Sequence, residues 1–361
     1  MEKLLVLSVE PGLTRYTSYM FIHAQNESAY VRPSRPDCRA IILLLTLLLW
    51  PQLVWATWLS ESREMMGTQI TVELWHPNEA IAQQAKEEVF AEFQRLDLMM
   101  NPWNPASELS RINREGATKS LTTTKEICEV INRALYYSQL SDGAFDISFA
   151  SAGQHYDYKQ GTRPDANTLE LDVENIDYNA IELEIAKQRI ALNKNGMQLD
   201  LGGIAKGYAV DRGIDILLRH GIESAVISAG GDSRILGDLG ERARTIGIRH
   251  PRKTGEYAVL IPLANTAIST SGDYERFFVE DGVRFHHILD PSTGESAQGV
   301  QSASVMSANA IDSDALSTTV FVMGVERGLE LVNSLPGVDA IIIDGEGKLH
   351  YSDDLLLSTS P

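Results

Sequence analysis

Residues 198–211, QLDLGGIAKGYAVD, constrain the fold more than any other stretch. An apolar run closes on Asp200, Gly202 and Gly203 follow, and an amphipathic segment begins at Ile204. Glycines remove side chains where a chain must turn and let a ligand approach the backbone. Val210, Ile214, Leu217 and Leu218 then recur at helical spacing until His220-Gly221, where glycine suits a helix C-terminus. A strand–Gly-Gly–helix junction leaves unpaired N–H groups and the positive end of the helix dipole facing outward, which suits an anion. Lys206, in the first turn, adds a full positive charge. Neither GxxxxGK(S/T) nor GxGxxG occurs here, so the stretch is not a Walker A loop or a dinucleotide fingerprint. It points to a phosphate or a metal, the alternative being a tight turn beside a solvated lysine.

The rest of the chain fixes the fold class. Strand patterns occur at Gln69–Trp75, Ile181–Ile185, Arg189–Leu192, Ser224–Ser228, Thr245–Arg249, Tyr257–Pro262, Ala267–Thr270, Arg284–Leu289, Val300–Met306 and Ala340–Ile343. Helical patterns cover Ala80–Met100, Thr122–Ser141, Asp312–Gly324 and Glu326–Ser334, with Asp312 as N-cap and Gly324 as the stop of the third. The segment from Ala144 to Asp172 lacks period and reads as loop. Strands and helices do not alternate regularly. That favours α+β, one compact domain of mixed, largely antiparallel sheets with packed helices, over a doubly wound sheet.

Ahead of the domain, Arg39 leads an eleven-residue apolar run that ends near Val54-Trp55-Ala56, the pattern of an export signal, interrupted by Pro51 and Gln52. The chain therefore divides into an extension of unassigned role (1–38), an export signal or membrane anchor (39–56) and a folded domain (57–361). Localisation is expected on the exported, periplasmic side of the inner membrane, soluble if cleaved near Ala56 and anchored if not. The net charge of −18, with no basic cluster, excludes nucleic acid as a partner. Once the signal is gone Cys128 is the lone thiol, and its helical apolar neighbours mark it as a small core residue.

Two further places carry candidate chemistry. Asp314, Ser317 and Thr318 share one helical face, and a carboxylate with two hydroxyls is a hard donor set suited to Mg²⁺. The competing reading is a carboxylate that complements the helix dipole beside capping hydroxyls. His286 and His287 adjoin on a strand and point to opposite faces, so one at most serves a given site. Trp103, in a loop bounded by Pro102 and Pro105, reads on its own as cover for a core edge.

Eight segments in order, MGT at Met66–Thr68, SELSRIN at Ser107–Asn113, GAFD at Gly143–Asp146, DLGGIAKGYAVD at Asp200–Asp211, SAGGD at Ser228–Asp232, STSGDYERFF at Ser269–Phe278, HHILDPSTG at His286–Gly294 and DALST at Asp314–Thr318, resemble the ApbE flavin transferases. That family moves FMN from FAD onto a threonine or serine of a target protein. The resemblance implies Mg²⁺ held by Asp314, Thr318, Ser317 and the carbonyl of Gly203. Many relatives carry a second carboxylate where this chain has Ser317. It also implies FAD contacts from Met66, Trp103, Ala144, Phe145, Asp146, Asp200, Lys206 and Ile288. Lys206 and His287 would be catalytic, the histidine as base or orienting group. The implied partners are FAD, as substrate, and an acceptor carrying a Thr/Ser flavinylation motif, a membrane-bound redox subunit. AMP would be released. An FAD pyrophosphohydrolase giving FMN and AMP, and a non-catalytic flavin-binding protein, are the alternative functions.

Overall fold

The computed structural model of the protein describes residues 58–237 and 244–358. Its main sheet has eight strands, ordered β1 (Leu59–Met65), β2 (Thr68–Trp75), β6 (Ser224–Ala229), β7 (Asp232–Leu236), β10 (Ala267–Gly272), β13 (Val300–Ser307), β14 (Asp339–Asp344) and β15 (Leu349–Tyr351). Every neighbouring pair in it is antiparallel. Three small antiparallel sheets accompany it: β3 (Leu121–Thr122), β5 (Arg189–Leu192) and β4 (Ile181–Glu184); β8 (Arg244–Arg249) with β9 (Tyr257–Leu263); and β11 (Phe277–Glu280) with β12 (Val283–His286). The α-helices are α1 (Glu79–Met100), α2 (Glu108–Glu115), α3 (Lys125–Leu140), α4 (Ala150–Gly153), α5 (Ala166–Val173), α6 (Ala205–Arg219), α7 (Ala310–Asn333) and α8 (Asp353–Ser358). The α+β class expected from the irregular order of elements holds.

Strand alternation divides the core between the two faces of the sheet. On β6, Ala225, Ile227 and Ala229 join the large cluster with Val89, Phe93, Ile214 and Leu316, under α1, α6 and α7. Val226, between them, faces the smaller cluster with Ile235, Ile248, Ile268, Met306 and Ile341. Both faces are therefore covered, and β13, in the middle, buries all eight of its residues. Among the described residues no helix is long and apolar enough to cross a membrane. The extension and the signal or anchor (1–38 and 39–56) lie outside the described residues.

Several local expectations need correction. β1 carries no apolar period, because its inward positions include Glu61 and Arg63. Those two meet Lys86 and Glu87 on α1, and the Arg63 guanidinium lies 4.0 Å over the Phe90 ring. The segment read as loop after Ala144 contains α4, α5 and a 3₁₀ turn at Ile147–Phe149, all too short to show a period. Asp312 does not cap α7. The N-cap is Asn309, and Asp312, inside the first turn, pairs with Arg133 at 2.6 Å. Gly324 does break that helix, at φ 80°.

Candidate functional site

The stretch 198–211 is built differently from a strand–turn–helix. Residues 198–200 belong to no strand or sheet. Side chains and a turn satisfy their backbone instead: Asn113 Nδ2 donates to Leu199 O (2.9 Å), Leu199 N donates to Asn113 Oδ1 (2.8 Å), and Asp200 N donates to Ile147 O (2.9 Å). Neither Gly202 nor Gly203 has a positive φ. Gly203 is needed for proximity: a Cβ there would lie 3.2 Å from Phe145 Cε2 and 3.4 Å from Thr318 Oγ1.

Helices α6 and α7 cap each other. Asp211 on α6 accepts the N–H groups of Ala310 and Ile311, both at 2.9 Å, at the start of α7. Asp314 on α7 accepts the N–H of Gly207 at 2.9 Å, in the first turn of α6. A helix N-terminus must find acceptors for its free N–H groups, and here each takes a carboxylate from the other helix. The crossing is close enough that a Cβ on Gly207 would overlap the Ala310 carbonyl oxygen. The anion expected at this dipole end is thus, in the first instance, the protein's own Asp314.

Around that crossing two carboxylates share one ammonium, with a third close by. Lys206 Nζ lies 2.7 Å from Asp232 Oδ2, 3.4 Å from Asp314 Oδ1 and 3.1 Å from the Gly202 carbonyl. Asp200, which accepts the Gly202 N–H at 2.6 Å, faces the same charge. Burial pulls the Lys206 pKa down, but Asp232 and then Asp314 outweigh it and hold the pKa above the ordinary lysine value. Burial, then repulsion from Asp232, raises the Asp314 carboxyl, with Lys206 opposing. Carboxylates crowded at one buried place, Asp200 and Asp314 both raised by that burial, favour recruitment of a cation.

The donors nearby suit a hard one. Ser271 Oγ lies 2.9 Å from Ser317 Oγ and 3.2 Å from Thr318 Oγ1, and Ser317 also donates to the Asp314 carbonyl at 2.9 Å. Among the described residues no three His, Cys, Asp or Glu side chains converge as a metal cluster. The set here mixes carboxylate, hydroxyl and carbonyl oxygens. Asp232 Oδ2, buried, meets the Lys206 ammonium at 2.7 Å and adds its charge to that of Asp314. These residues fit Mg²⁺.

The histidine pair is not on opposite faces of one strand, because β12 ends at His286 and the chain turns away. His286 is 2% exposed; its Nε2 donates to Ala297 O (2.8 Å), its Nδ1 accepts from Ile288 N (3.3 Å), and its ring stands edge-on to Phe321. It is a structural residue. Burial lowers its pKa below the ordinary value of 6.5, the Ala297 bond opposing this only in part. Stability from neutral His286 is therefore complete above pH 6.5 and is lost as pH falls through the window below it, where only the unfolded chain takes up the proton. His286→Gln should cost about 1–3 kcal/mol at pH 8. Denaturant melts from pH 8 to 5 should show the gap to the parent protein narrowing, and a gap constant with pH would sink the assignment.

His287 is the other kind of histidine. Its N–H donates to the Arg276 carbonyl at 3.1 Å, while its Nδ1 is buried without a hydrogen-bond partner. Burial, then the charge of Arg276, pushes its pKa down to about 3, with a smaller contribution from Lys206. It is neutral, and its buried Nδ1 is left without a hydrogen bond.

The residues expected at FAD fall in several settings. Met66 sits in the β1–β2 turn at φ 51°, partly buried against the main core. Trp103 is 72% exposed, so the reading of it as core cover is wrong and an aromatic platform is free. Phe145 is buried under Gly203 and edge-on to Tyr137. Asp146 uses Oδ1 on the N–H and hydroxyl of Ser148 and Oδ2 on the N–H of Tyr178, so it holds its own loop. Ala144 alone of that triplet is not buried. The Ile288 side chain belongs to the core. Sequence reasoning missed Asp232, Ser271 and Arg276 as site residues. The first stands after two glycines and the others within one polar run, but nothing local says which way they face.

Known proteins share this arrangement's sequence and fold. The chain is similar to the FAD:protein FMN transferase of Treponema pallidum (strain Nichols), at 32% identity over 312 residues, covering 81% of this chain and 86% of that protein. It is similar to that of Klebsiella pneumoniae (strain 342), at 29% over 306 residues, covering 84% and 94%. The ApbE protein of Thermotoga maritima superimposes with a TM-score of 0.77 at 31% identity, covering 84% of this chain and all of that one. The flavin transferase ApbE of Vibrio cholerae does so with a TM-score of 0.75 at 25% identity, covering 84% and 99%. The family model that matches residues 66–342 takes in every site residue described above, from the Met66 turn to Thr318, and by that match the chain belongs to the ApbE family.

Proposed function

We propose that this chain is an FAD:protein FMN transferase that requires Mg²⁺, acts on a threonine or serine hydroxyl of an exported redox protein, and releases AMP. The observation that carries the reading is the buried excess of carboxylate around Lys206 beside a neutral His287 whose Nδ1 lacks a partner. A pyrophosphate alone would be repelled from such a place, and a flavin store would need no such cluster. The names of the Treponema and Klebsiella relatives support it.

Asp314 and Thr318 would hold the metal with Ser317 and the Gly203 carbonyl, and when bound Mg²⁺ supplies positive charge at the pyrophosphate oxygens. The reaction forms a bond from the acceptor oxygen to the phosphorus of the FMN half and breaks the bond from that phosphorus to the bridging oxygen. The electron pair leaves with AMP, and the acceptor's proton goes to His287 Nδ1. Burial is the main cause of the depressed His287 pKa, and an incoming pyrophosphate would offset only the smaller part that comes from Arg276 and Lys206. Trp103, exposed at the rim, would stack on an aromatic ring of FAD. Positioning and electrostatics thus account for the catalysis, as in phosphoryl transfer generally.

Purified protein incubated with FAD, MgCl₂ and a candidate redox subunit should give covalent flavin, read as a fluorescent band on a denaturing gel, with AMP in equal amount. Free FMN and AMP formed at the same rate without acceptor would make it a hydrolase instead. FAD bound but unchanged would leave only a flavin carrier. We further propose that residues 39–56 direct export and that the mature chain starts near Thr57, the apolar run behind Arg39 being the support. Mass spectrometry of the exported form should find that N-terminus; a species retaining Arg39–Trp50 would be an anchored protein.

A further inference from the structure

The cluster around Lys206 raises a question of charge. Lys206 is engaged by Asp232, Asp314 and the Gly202 carbonyl, so its ammonium is not free to meet a substrate. A second cation stands at the same place. Arg276 lies in the turn between β10 and β11, and its Nη2 is 3.4 Å from the position of a Cβ on Gly67, in the β1–β2 turn. Its backbone carbonyl accepts the His287 backbone N–H at 3.1 Å. Its charge is felt by Asp200 on one side and by His287 on the other. Among the described residues its guanidinium forms no ion pair or hydrogen bond, and the residue is exposed. The chain's other arginines near this region behave differently: Arg252 and Arg284 both engage Asp273, and Arg234 engages Asp211.

A planar guanidinium with five free donors, on a backbone hydrogen-bonded to that of His287, matches the tetrahedral oxygens of a phosphate two at a time. We propose that Arg276 grips the phosphate that is transferred, the one on the FMN side of FAD, while Lys206 keeps the carboxylates in place. This rests on the transferase reading. Arg276 forms and breaks no covalent bond. It donates hydrogen bonds to the non-bridging oxygens of the phosphate that His287 serves, so it balances the charge that spreads onto those oxygens as the acceptor oxygen enters and AMP leaves.

The test uses the whole folded protein with Mg²⁺ and two probes, FAD and riboflavin, the second having no phosphate. Arg276→Gln should weaken FAD binding about tenfold to a hundredfold and leave riboflavin binding within about twofold. It should lower kcat for FMN transfer about a hundredfold. Arg276→Lys should restore part of kcat, since it returns charge but not the fork. The melting temperature should not move, because the side chain supports nothing internal. FAD affinity and kcat both unchanged would overturn the proposal, as would equal weakening of FAD and riboflavin. Should the parent protein bind FAD but transfer no FMN, the FAD–riboflavin contrast would still decide whether Arg276 grips phosphate, and the transferase reading alone would fall.

Discussion

Asp314→Asn is expected to lower Mg²⁺-dependent turnover about a hundred- to a thousandfold, the loss that follows removal of one strong electrostatic element of an active site. The substituted amide can still accept the Gly207 N–H through its oxygen, so the α6–α7 crossing stays closed and the protein stays folded. What disappears is the charge that faces Lys206 and the cation. Asp314→Ala goes further. It leaves the Gly207 N–H buried and without an acceptor, which adds about 1–3 kcal/mol of lost stability to the same loss of turnover. The residue is 2% exposed, and so water cannot step in. Steady-state rates over a Mg²⁺ titration, with melts of both variants, separate the two effects. Wild-type turnover at limiting Mg²⁺ in the asparagine variant would remove Asp314 from the metal site.

Lys206→Met should fail in a different manner, through the carboxylates it leaves behind. Methionine keeps most of the stem but no charge, and Asp232, Asp314 and Asp200 are then left to repel one another. Breaking a buried ion pair from one side costs about 3–5 kcal/mol, and the low end applies here because the lysine side chain keeps 24% exposure. Removal of the ammonium, which opposes the rise at Asp314, pushes that carboxyl's folded-state pKa further above its unfolded value. The folded state then binds more protons than the unfolded one across that window. The stability deficit must therefore grow as pH rises from the ordinary carboxylate range and level off once Asp314 ionises. Turnover should fall about tenfold to a thousandfold, mostly in kcat, because the cluster that holds the cation is distorted while the flavin surfaces remain. Raised Mg²⁺ should recover part of the stability, since another cation can stand in for the lost one. A deficit that shrinks with rising pH, or kinetic constants that do not change, would return Lys206 to the solvated surface.

Some of this protein is written locally. Helix α1 follows from the spacing of Val89, Phe93, Leu96 and Met100, and Gly324 breaks α7 because its φ of 80° suits glycine. The antiparallel, irregular order of strands and helices gave the α+β class, and the hydroxyl–carboxylate face of Asp314, Ser317 and Thr318 is a matter of helical period alone. Such features depend on residues within a turn or two of each other, and a sequence shows those directly.

The remainder depended on distant partners. Asp211 and Asp314 cap one another's helices across about a hundred residues of chain, and only the packing of α6 on α7 brings them together. β1 has Glu61 and Arg63 where a strand's inward face expects apolar residues, and it becomes a strand because α1 offers Lys86, Glu87 and Phe90 opposite them. His286 and His287 are neighbours of one residue type, yet one is locked to Ala297 and the other left with a bare Nδ1. The end of β12 decides which is which. Asp232 reaches Lys206 because β7 begins where it does beside β6 and β10. Charge, burial and hydrogen-bond satisfaction are properties of a place, and the sequence names the residues without saying who shares it.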